Sequence, residues 1–449
     1  MSRITIVGGG LVGGLLAVFL AKRGHAVKVF DRRGDPRRTD VYAGRSINLV
    51  VSHRGWTALR AAGVEEAVRA ITVPVYARMT HDRDGRLNRV PYSIDNRAIF
   101  SVSRGELNRR LLSEAEKLPN VELHFDHKCV DVDLHTGECV FEHGGERVLE
   151  EADVVFGSDG AFSAVRQKMM LGRFTYSQEY IEHDYKEIAF PANADGTPKM
   201  DPHCLHIWPR RFFMMMGLAN QDGGFTGTLF MPNTHTDQAP GFDVVRTGEQ
   251  ARRFFGEHFP DAIPIAPDIV DQYLRNPQSS LVIIRCAPWQ VNGRVALIGD
   301  AAHAIVPFYG EGMNAGYEDC KVLNDLLNEY GDDNWAEVLT RYAAERKPNG
   351  DAIADLSLRN FVEMRDLVAD PKFLLRKKIE GHLQQRHPDK WLPLYSQVKF
   401  SDIAYKDAWK EGLRHDRIME EVLAIPGIEE KWESAEVVKR VMGMLEATV

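Results

Sequence analysis

The feature that most narrows what this chain can fold into lies at its start. Arg3 to Val7 (RITIV) is a short apolar run that stops at Gly8-Gly9-Gly10-Leu11-Val12-Gly13, after which small and apolar residues continue to Lys22-Arg23-Gly24. The pattern reads as strand, tight turn and helix, with two cations in the last helical turn and Gly24 as the stop. A second apolar run, Ala26 to Phe30, ends at Asp31, 18 residues beyond Gly13. Each part of this βαβ opening has a physical role. Gly8 permits the tight turn, and Gly10, followed by Leu11 and Val12, lets the backbone approach a pyrophosphate at the helix N-terminus. Gly13 allows close helix packing, and Asp31 accepts from ribose hydroxyls. A carboxylate there favours a free 2′-hydroxyl over a 2′-phosphate, so FAD or NAD is expected at this site ahead of NADP.

One such unit does not account for 449 residues, and the length suggests about two or three compact parts. From Val121 short alternating runs (VELHF, CVDVD, CVFE, RVLE) predict a small antiparallel meander, with His143-Gly144-Gly145 as its last turn. Asp153 to Phe156 (DVVF) then returns the chain to the first sheet before Gly157-Ser158-Asp159-Gly160. Residues 175 to 285 carry candidate strands (CLHIW, FFMMMGL, FTGTLFM) and few long helical periods, and from Met313 helical periodicity dominates. The expected architecture is α/β: a discontinuous Rossmann-like FAD-binding domain (residues 1–72, 97–174 and 286–330), an inserted β-rich substrate domain (73–96 and 175–285) and a helical C-terminal region (331–449).

FAD and NAD are separated by two further segments. Gly299-Asp300, directly after the buried run RVALI, puts a carboxylate where a ribityl chain can be held, and Gly310-Glu311-Gly312-Met313-Asn314 opens a helix whose N-terminal dipole suits an electron-rich ring. On the substrate side, alternation in VYARMTH sets Tyr76, Arg78 and Thr80 on one strand face, and a turn over Asp82 to Arg86 brings Arg78 opposite Tyr92. A guanidinium beside a phenol either clamps an amino-acid carboxylate or makes a surface ion pair next to a packing ring. Asn360 sits in the apolar stripe of Ile353, Leu356 and Met364. Its amide either bonds a core carbonyl or holds a polar ligand in a cavity.

Composition removes other classes. With 56 Lys plus Arg against 64 Asp plus Glu, the net charge of −8 excludes a basic nucleic-acid binder. Five scattered cysteines without a C-x-x-C pair argue against a disulfide framework or zinc ribbon and fit a reducing compartment. Glycines interrupt the apolar stretch from Ile4 to Ala21, and Ser434 to Val449 is charged and too short to span a bilayer, so a cytoplasmic protein without a membrane anchor is expected. Asp300 and His303 have no further ligand nearby in sequence, so no metal site is expected. Only one dinucleotide fingerprint is present, so NADPH is expected to react from a transient surface site.

Through GGGLVG, GSDG (157–160) and GDAAH (299–303) the sequence resembles the FAD-dependent aromatic hydroxylases of the para-hydroxybenzoate hydroxylase type. Within them it is similar to the kynurenine 3-monooxygenase family. The segments that carry this are GRSINL (44–49), Ser163-Ala164-Val165-Arg166, LHIWP (205–209), FTGTLF (225–230), GDAAHAIVP (299–307), NFVEM (360–364) and YSQVKFS (395–401). The resemblance implies bound FAD, NADPH and O2 as co-substrates, and oxygen transfer from a flavin C4a-hydroperoxide to L-kynurenine, giving 3-hydroxykynurenine in tryptophan breakdown or NAD synthesis. It implies that Arg78, Tyr92, Asn360 and Tyr395 hold the substrate carboxylate. Ile99, Leu205, Met216, Leu218, Phe230, Pro307, Phe308 and Met364 would line the pocket. Arg45, Arg104, Asp159, Gly160, Asp300, Gly312, Met313 and Asn314 would join Gly8, Gly10, Leu11, Val12, Gly13 and Asp31 around FAD. No residue is implied as acid or base; the protein positions. Two departures stand out: Glu311 where the family commonly has Gln, so that a carboxylate near the flavin must be protonated, paired or turned away, and Tyr309 where relatives vary between His and Phe. The alternatives are the same chemistry on another aromatic carboxylic acid, or a flavin-binding sensor without turnover.

Overall fold

The computed structural model describes residues 1–39, 47–93, 95–367 and 370–447. Its first sheet has six strands in the order Gln290–Val291, Val295–Leu297, Val154–Gly157, Arg3–Val7, Ala26–Phe30 and Val121–His124, all parallel except the short first one. Arg3–Val7 pairs on one side with the strand that follows it and on the other with a strand some 150 residues later. The strand order therefore reverses at the carboxyl end of Arg3–Val7, which is where open α/β sheets bind ligands. The helix Leu11–Lys22 is buried from Gly13 to Ala21, because it lies between this sheet and the helices Arg104–Glu116 and Gly312–Tyr330. This explains its lack of a polar face.

One expectation is corrected. Val121–His124 does not open the meander; it pairs in parallel with Ala26–Phe30 at the sheet edge, and the three-stranded meander is Lys128–Val132, Glu138–His143 and Glu146–Glu151. A run of four residues carries too little pattern to distinguish a parallel edge from a hairpin strand. The β-rich stretch 175–285 also contains the helices Gly248–His258 and Ile269–Arg275, whose apolar faces complete a separate core with Phe190, Trp208, Phe225 and Leu229.

The second sheet has seven strands in the order Ser279–Ala287, Thr175–Phe190, Phe225–Pro232, Met214–Ala219, Cys204–Pro209, Ala77–His81 and Leu87–Pro91. One face packs on the two helices just named. The other carries alternate residues from successive strands, with Leu218 paired to Thr226 and Met216 to Thr228. A three-stranded sheet of Asn48–Val51, Ile99–Ser103 and Val73–Val75 joins the two large sheets. The helices Trp335–Val362, Leu394–Phe400 and Tyr405–Leu423 then close the space between them, and Pro371–Arg386 and Ala435–Ala447 build a further helical core with Trp391.

Candidate flavin and substrate site

A cavity of about 900 Å³ runs from the carboxyl end of the parallel sheet to the face of the seven-stranded sheet that turns away from Gly248–His258 and Ile269–Arg275. At its first end the walls are largely backbone. Gly8 adopts φ +108°, and a Cβ on it would stand 2.3 Å from the Ser158 carbonyl oxygen. A Cβ on Gly13 would stand 2.0 Å from the Gly8 oxygen, whereas one on Gly10 would meet nothing within 4 Å. The turn is therefore closed on its packing side and open on its cavity side, the room a pyrophosphate needs at the N-terminus of Leu11–Lys22. Asp31 accepts from the Gly9 N–H at 2.9 Å and from Arg33 Nε at 3.1 Å, which fixes the strand end against the turn.

Asp159 borders the same space. Its Oδ2 accepts from the Ala164 N–H at 2.6 Å, while Oδ1 is buried without a partner among the described residues and burial raises the carboxyl pKa. An orphaned acceptor of this kind fits a ligand that brings a donor. Asp300 begins a four-residue helix and lines the cavity next to Val12. Behind it Asp319, with no exposed surface, accepts from the Gly299 N–H at 3.1 Å, meets His303 Nε2 at 2.6 Å and accepts from Arg346 Nε at 2.7 Å. Burial alone would raise the pKa of Asp319, but His303 and Arg346 outweigh it and hold the carboxyl below its ordinary range. This buried network fixes the 299–303 segment from outside the cavity.

In the middle of the cavity Gly310 turns the chain in the left-handed region, and Gly312 and Met313 open the 19-residue helix Gly312–Tyr330 toward the space. The Asn314 side chain faces the other way. It accepts from the Ser52 N–H at 3.0 Å and donates to the Val50 oxygen at 2.8 Å, stitching the turn to the three-stranded sheet. Glu311 is fully buried and paired, receiving Lys399 Nζ at 2.7 Å, the Tyr405 hydroxyl at 2.7 Å and the Ser52 hydroxyl at 3.2 Å. The carboxylate expected to be protonated, paired or turned away is paired.

The substrate end is made of side chains. Arg78 lies over the rings of Tyr92 and Tyr395, with its guanidinium carbon 5.4 and 4.9 Å from their centroids, and the two rings stack at 5.4 Å and 9°. Among the described residues the groups that act most on Arg78 are the Tyr395 and Tyr92 phenols and not a carboxylate, and its Nε is buried without a hydrogen-bond partner. Burial raises the pKa of both phenols, so they remain protonated donors. The strand register differs from expectation: Arg78 pairs with Val90, and the Tyr92 N–H bonds the Tyr76 oxygen. Tyr92 reaches the guanidinium as the diagonal neighbour two residues on, which a large aromatic side chain can span.

Of the residues expected around substrate, Arg78, Tyr92, Ile99, Leu205, Met216, Leu218, Pro307, Phe308, Met364 and Tyr395 border the cavity. Asn360 and Phe230 stand behind it. Asn360 Nδ2 donates to the Phe308 oxygen at 2.6 Å and to Met364 Sδ at 3.3 Å, and Phe230 packs on Phe308 at 4.9 Å. Among the residues expected around the cofactor, Gly8, Gly10, Leu11, Val12, Asp31, Arg104, Asp159, Gly160, Asp300, Gly312 and Met313 border the cavity. The Gly13 and Asn314 side positions do not, and Arg45 lies outside the described residues. Sequence reasoning did not single out Thr226, Thr228, Tyr185, Ser280 or Lys399, all of which line the space. The period-two pattern of FTGTLF held the signal for the two threonines, since it sets them on one face with Phe230. Tyr309 stacks on Tyr395 at 5.8 Å and 18°.

Residues 1–357 match the family model described as an FAD binding domain. The kynurenine 3-monooxygenase of Christiangramia forsetii is 49% identical over 98% of each chain, and that of Flavobacterium johnsoniae is 46% identical over 99% of each. A solved structure of 2-methyl-3-hydroxypyridine-5-carboxylic acid oxygenase shares the fold at TM-score 0.66 and 18% identity, covering 82% of this chain and 94% of its own. A backbone-lined dinucleotide turn, a continuous cavity and relatives matching nearly end to end converge on one conclusion: the chain belongs to the kynurenine 3-monooxygenase family of FAD-dependent enzymes.

Proposed function

We propose that the protein hydroxylates L-kynurenine to 3-hydroxykynurenine, consuming NADPH and O2. The observation that carries this is Arg78, a cation without an acidic partner among the described residues, lying over the rings of two phenols at the far end of a cavity that begins at the dinucleotide turn. Bound FAD supplies the redox and oxygen chemistry. The chain supplies position. Arg78 offers two parallel N–H donors to an amino-acid carboxylate, and Tyr92 and Tyr395 add hydroxyl donors. Leu205, Met216, Leu218, Phe308 and Met364 form an apolar sleeve that excludes water from the aromatic end, while Asn360 holds Phe308 and Met364 in place from behind.

The division into residues 1–72, 97–174 and 286–330 for FAD and 73–96 and 175–285 for substrate is supported by the sheets. The six-stranded sheet draws only on the first set. The seven-stranded sheet draws on the second, its strand Ser279–Ala287 crossing the boundary by two residues. Five cysteines that are all buried and unpaired support a reducing, cytoplasmic setting.

The test follows NADPH loss by the purified flavoprotein with and without L-kynurenine while the product is identified by mass spectrometry. Formation of 3-hydroxykynurenine in step with NADPH loss is expected. Hydrogen peroxide alone would transfer the reading to another aromatic acid, and no ligand-stimulated NADPH loss would leave a flavin-binding sensor.

A further inference from the structure

Lys399 has no role in the reading above. It is 1% exposed yet borders the cavity. It lies on Leu394–Phe400 one turn beyond Tyr395, and residues four apart on a helix share a face, so it stands beside the Arg78–Tyr395 stack. An ammonium has three N–H donors. One goes to Glu311 Oε1 at 2.7 Å and one to the Gly310 oxygen at 3.2 Å. The third has no acceptor among the described residues. Burial lowers the pKa of Lys399, the Glu311 carboxylate opposes that, and Arg78 adds a smaller repulsion.

The separation along the helix fits the chemistry of the proposed substrate. Four helical residues rise about 6 Å. In L-kynurenine two carbons stand between the carboxylate carbon and the ketone carbon, so with the carboxylate at Arg78 and Tyr395 a ketone oxygen one helical turn along is within the substrate's reach. Given the proposed function, we propose that Lys399 is a specificity-determining residue that donates its free N–H to the substrate ketone, and that Glu311 holds it in place. The site thereby distinguishes a γ-keto amino acid from an aromatic amino acid that lacks the ketone. A polar site that loses its partner rejects the analogue more strongly than an apolar wall does.

The test compares two holoenzyme variants, Glu311→Gln and Glu311→Gln/Lys399→Met. The pair is chosen because Lys399→Met alone would strand a buried carboxylate and threaten folding. Dissociation constants are read from the change in flavin absorbance on titration with L-kynurenine and with the analogue whose ketone is a methylene. The double variant is expected to bind L-kynurenine about tenfold more weakly than Glu311→Gln, the loss of one hydrogen bond to a charged group, while both variants bind the methylene analogue alike. Equal weakening for the two ligands would reduce Lys399 to a structural role and overturn the inference. A changed flavin spectrum without ligand, with L-kynurenine binding unaltered, would move the third donor to the cofactor and overturn it as well. If the unsubstituted holoenzyme neither binds nor hydroxylates L-kynurenine, the proposed function itself fails, and the inference with it.

Discussion

The two ends of the cavity are built by different means. At the dinucleotide end the working groups are backbone N–H groups and glycine hydrogens from one turn, Gly8–Gly13, closed by Ser158 and Asp159 from the neighbouring strand. At the substrate end they are side chains from segments far apart in the chain: Arg78 and Tyr92 on an edge hairpin, Phe308 in the loop before a helix, Met364 on a π-helical turn and Tyr395 on a late helix. A site made of backbone tolerates no added atom at its packed positions, Gly8 and Gly13, but asks little of neighbouring side chains. A site made of side chains keeps its fold when one is changed and loses only the contact that side chain made.

The strongest way to break the contrast is Gly13→Val. A Cβ whose ideal position lies 2.0 Å from the Gly8 carbonyl oxygen, with two γ-methyls on it, forces the turn open. The expected cost is about 3 kcal/mol or more, and the protein should purify without flavin absorbance. A colourful, FAD-replete Gly13→Val protein would show that the turn does not hold the cofactor.

Asp319→Asn attacks the dinucleotide end from outside the cavity. It leaves His303 buried without its counter-charge and Arg346 with Glu318 alone, at 2.8 Å, and breaking a buried pair costs about 3–5 kcal/mol. A large fall in melting temperature and loss of FAD on dialysis are expected. Unchanged melting would mean that the 299–303 segment is held by other contacts.

Arg78→Met should have the opposite signature, with flavin absorbance and melting near those of the unsubstituted protein. The KM for L-kynurenine should rise about a hundredfold, the worth of about 3 kcal/mol of charge-assisted hydrogen bonding. An unaltered KM would remove Arg78 from the carboxylate site. Tyr92→Phe, which takes away one donor and leaves the stack, sharpens this at about 1 kcal/mol, a fivefold rise in KM.

The smallest effect separates the two sheets by pH. Burial lowers the His206 pKa to about 4, and its Nδ1 lies 2.8 Å from His81 Nε2 in the seven-stranded sheet. Between pH 6.5 and about 4 the unfolded chain takes up a proton at this position before the folded one, so this contribution to stability is complete above 6.5 and is lost as pH falls. Melting curves from pH 7.5 to 5 should therefore be shallower for His206→Gln than for the unsubstituted protein. Parallel curves would assign acid sensitivity elsewhere.

The same contrast marks what was legible in the chain. Apolar runs, a glycine fingerprint and a Lys-Arg-Gly stop were enough for Arg3–Val7, Leu11–Lys22 and Ala26–Phe30, because each is defined by neighbours within a few residues. The pairing of Val121–His124 was not legible, since a parallel partner is set by a crossover and leaves no local pattern.

From the sequence alone followed the dinucleotide turn, the acid at Asp31 and an amide at Asn360 within an apolar stripe, since these depend on residue type and spacing. Tertiary structure decided where that amide points, how Tyr92 reaches Arg78 across a register two residues off, and that Glu311 meets Lys399 and Tyr405 from almost a hundred residues away. A buried charge is tolerated only where its partner is brought to it, and chain distance says nothing about that partner; packing does.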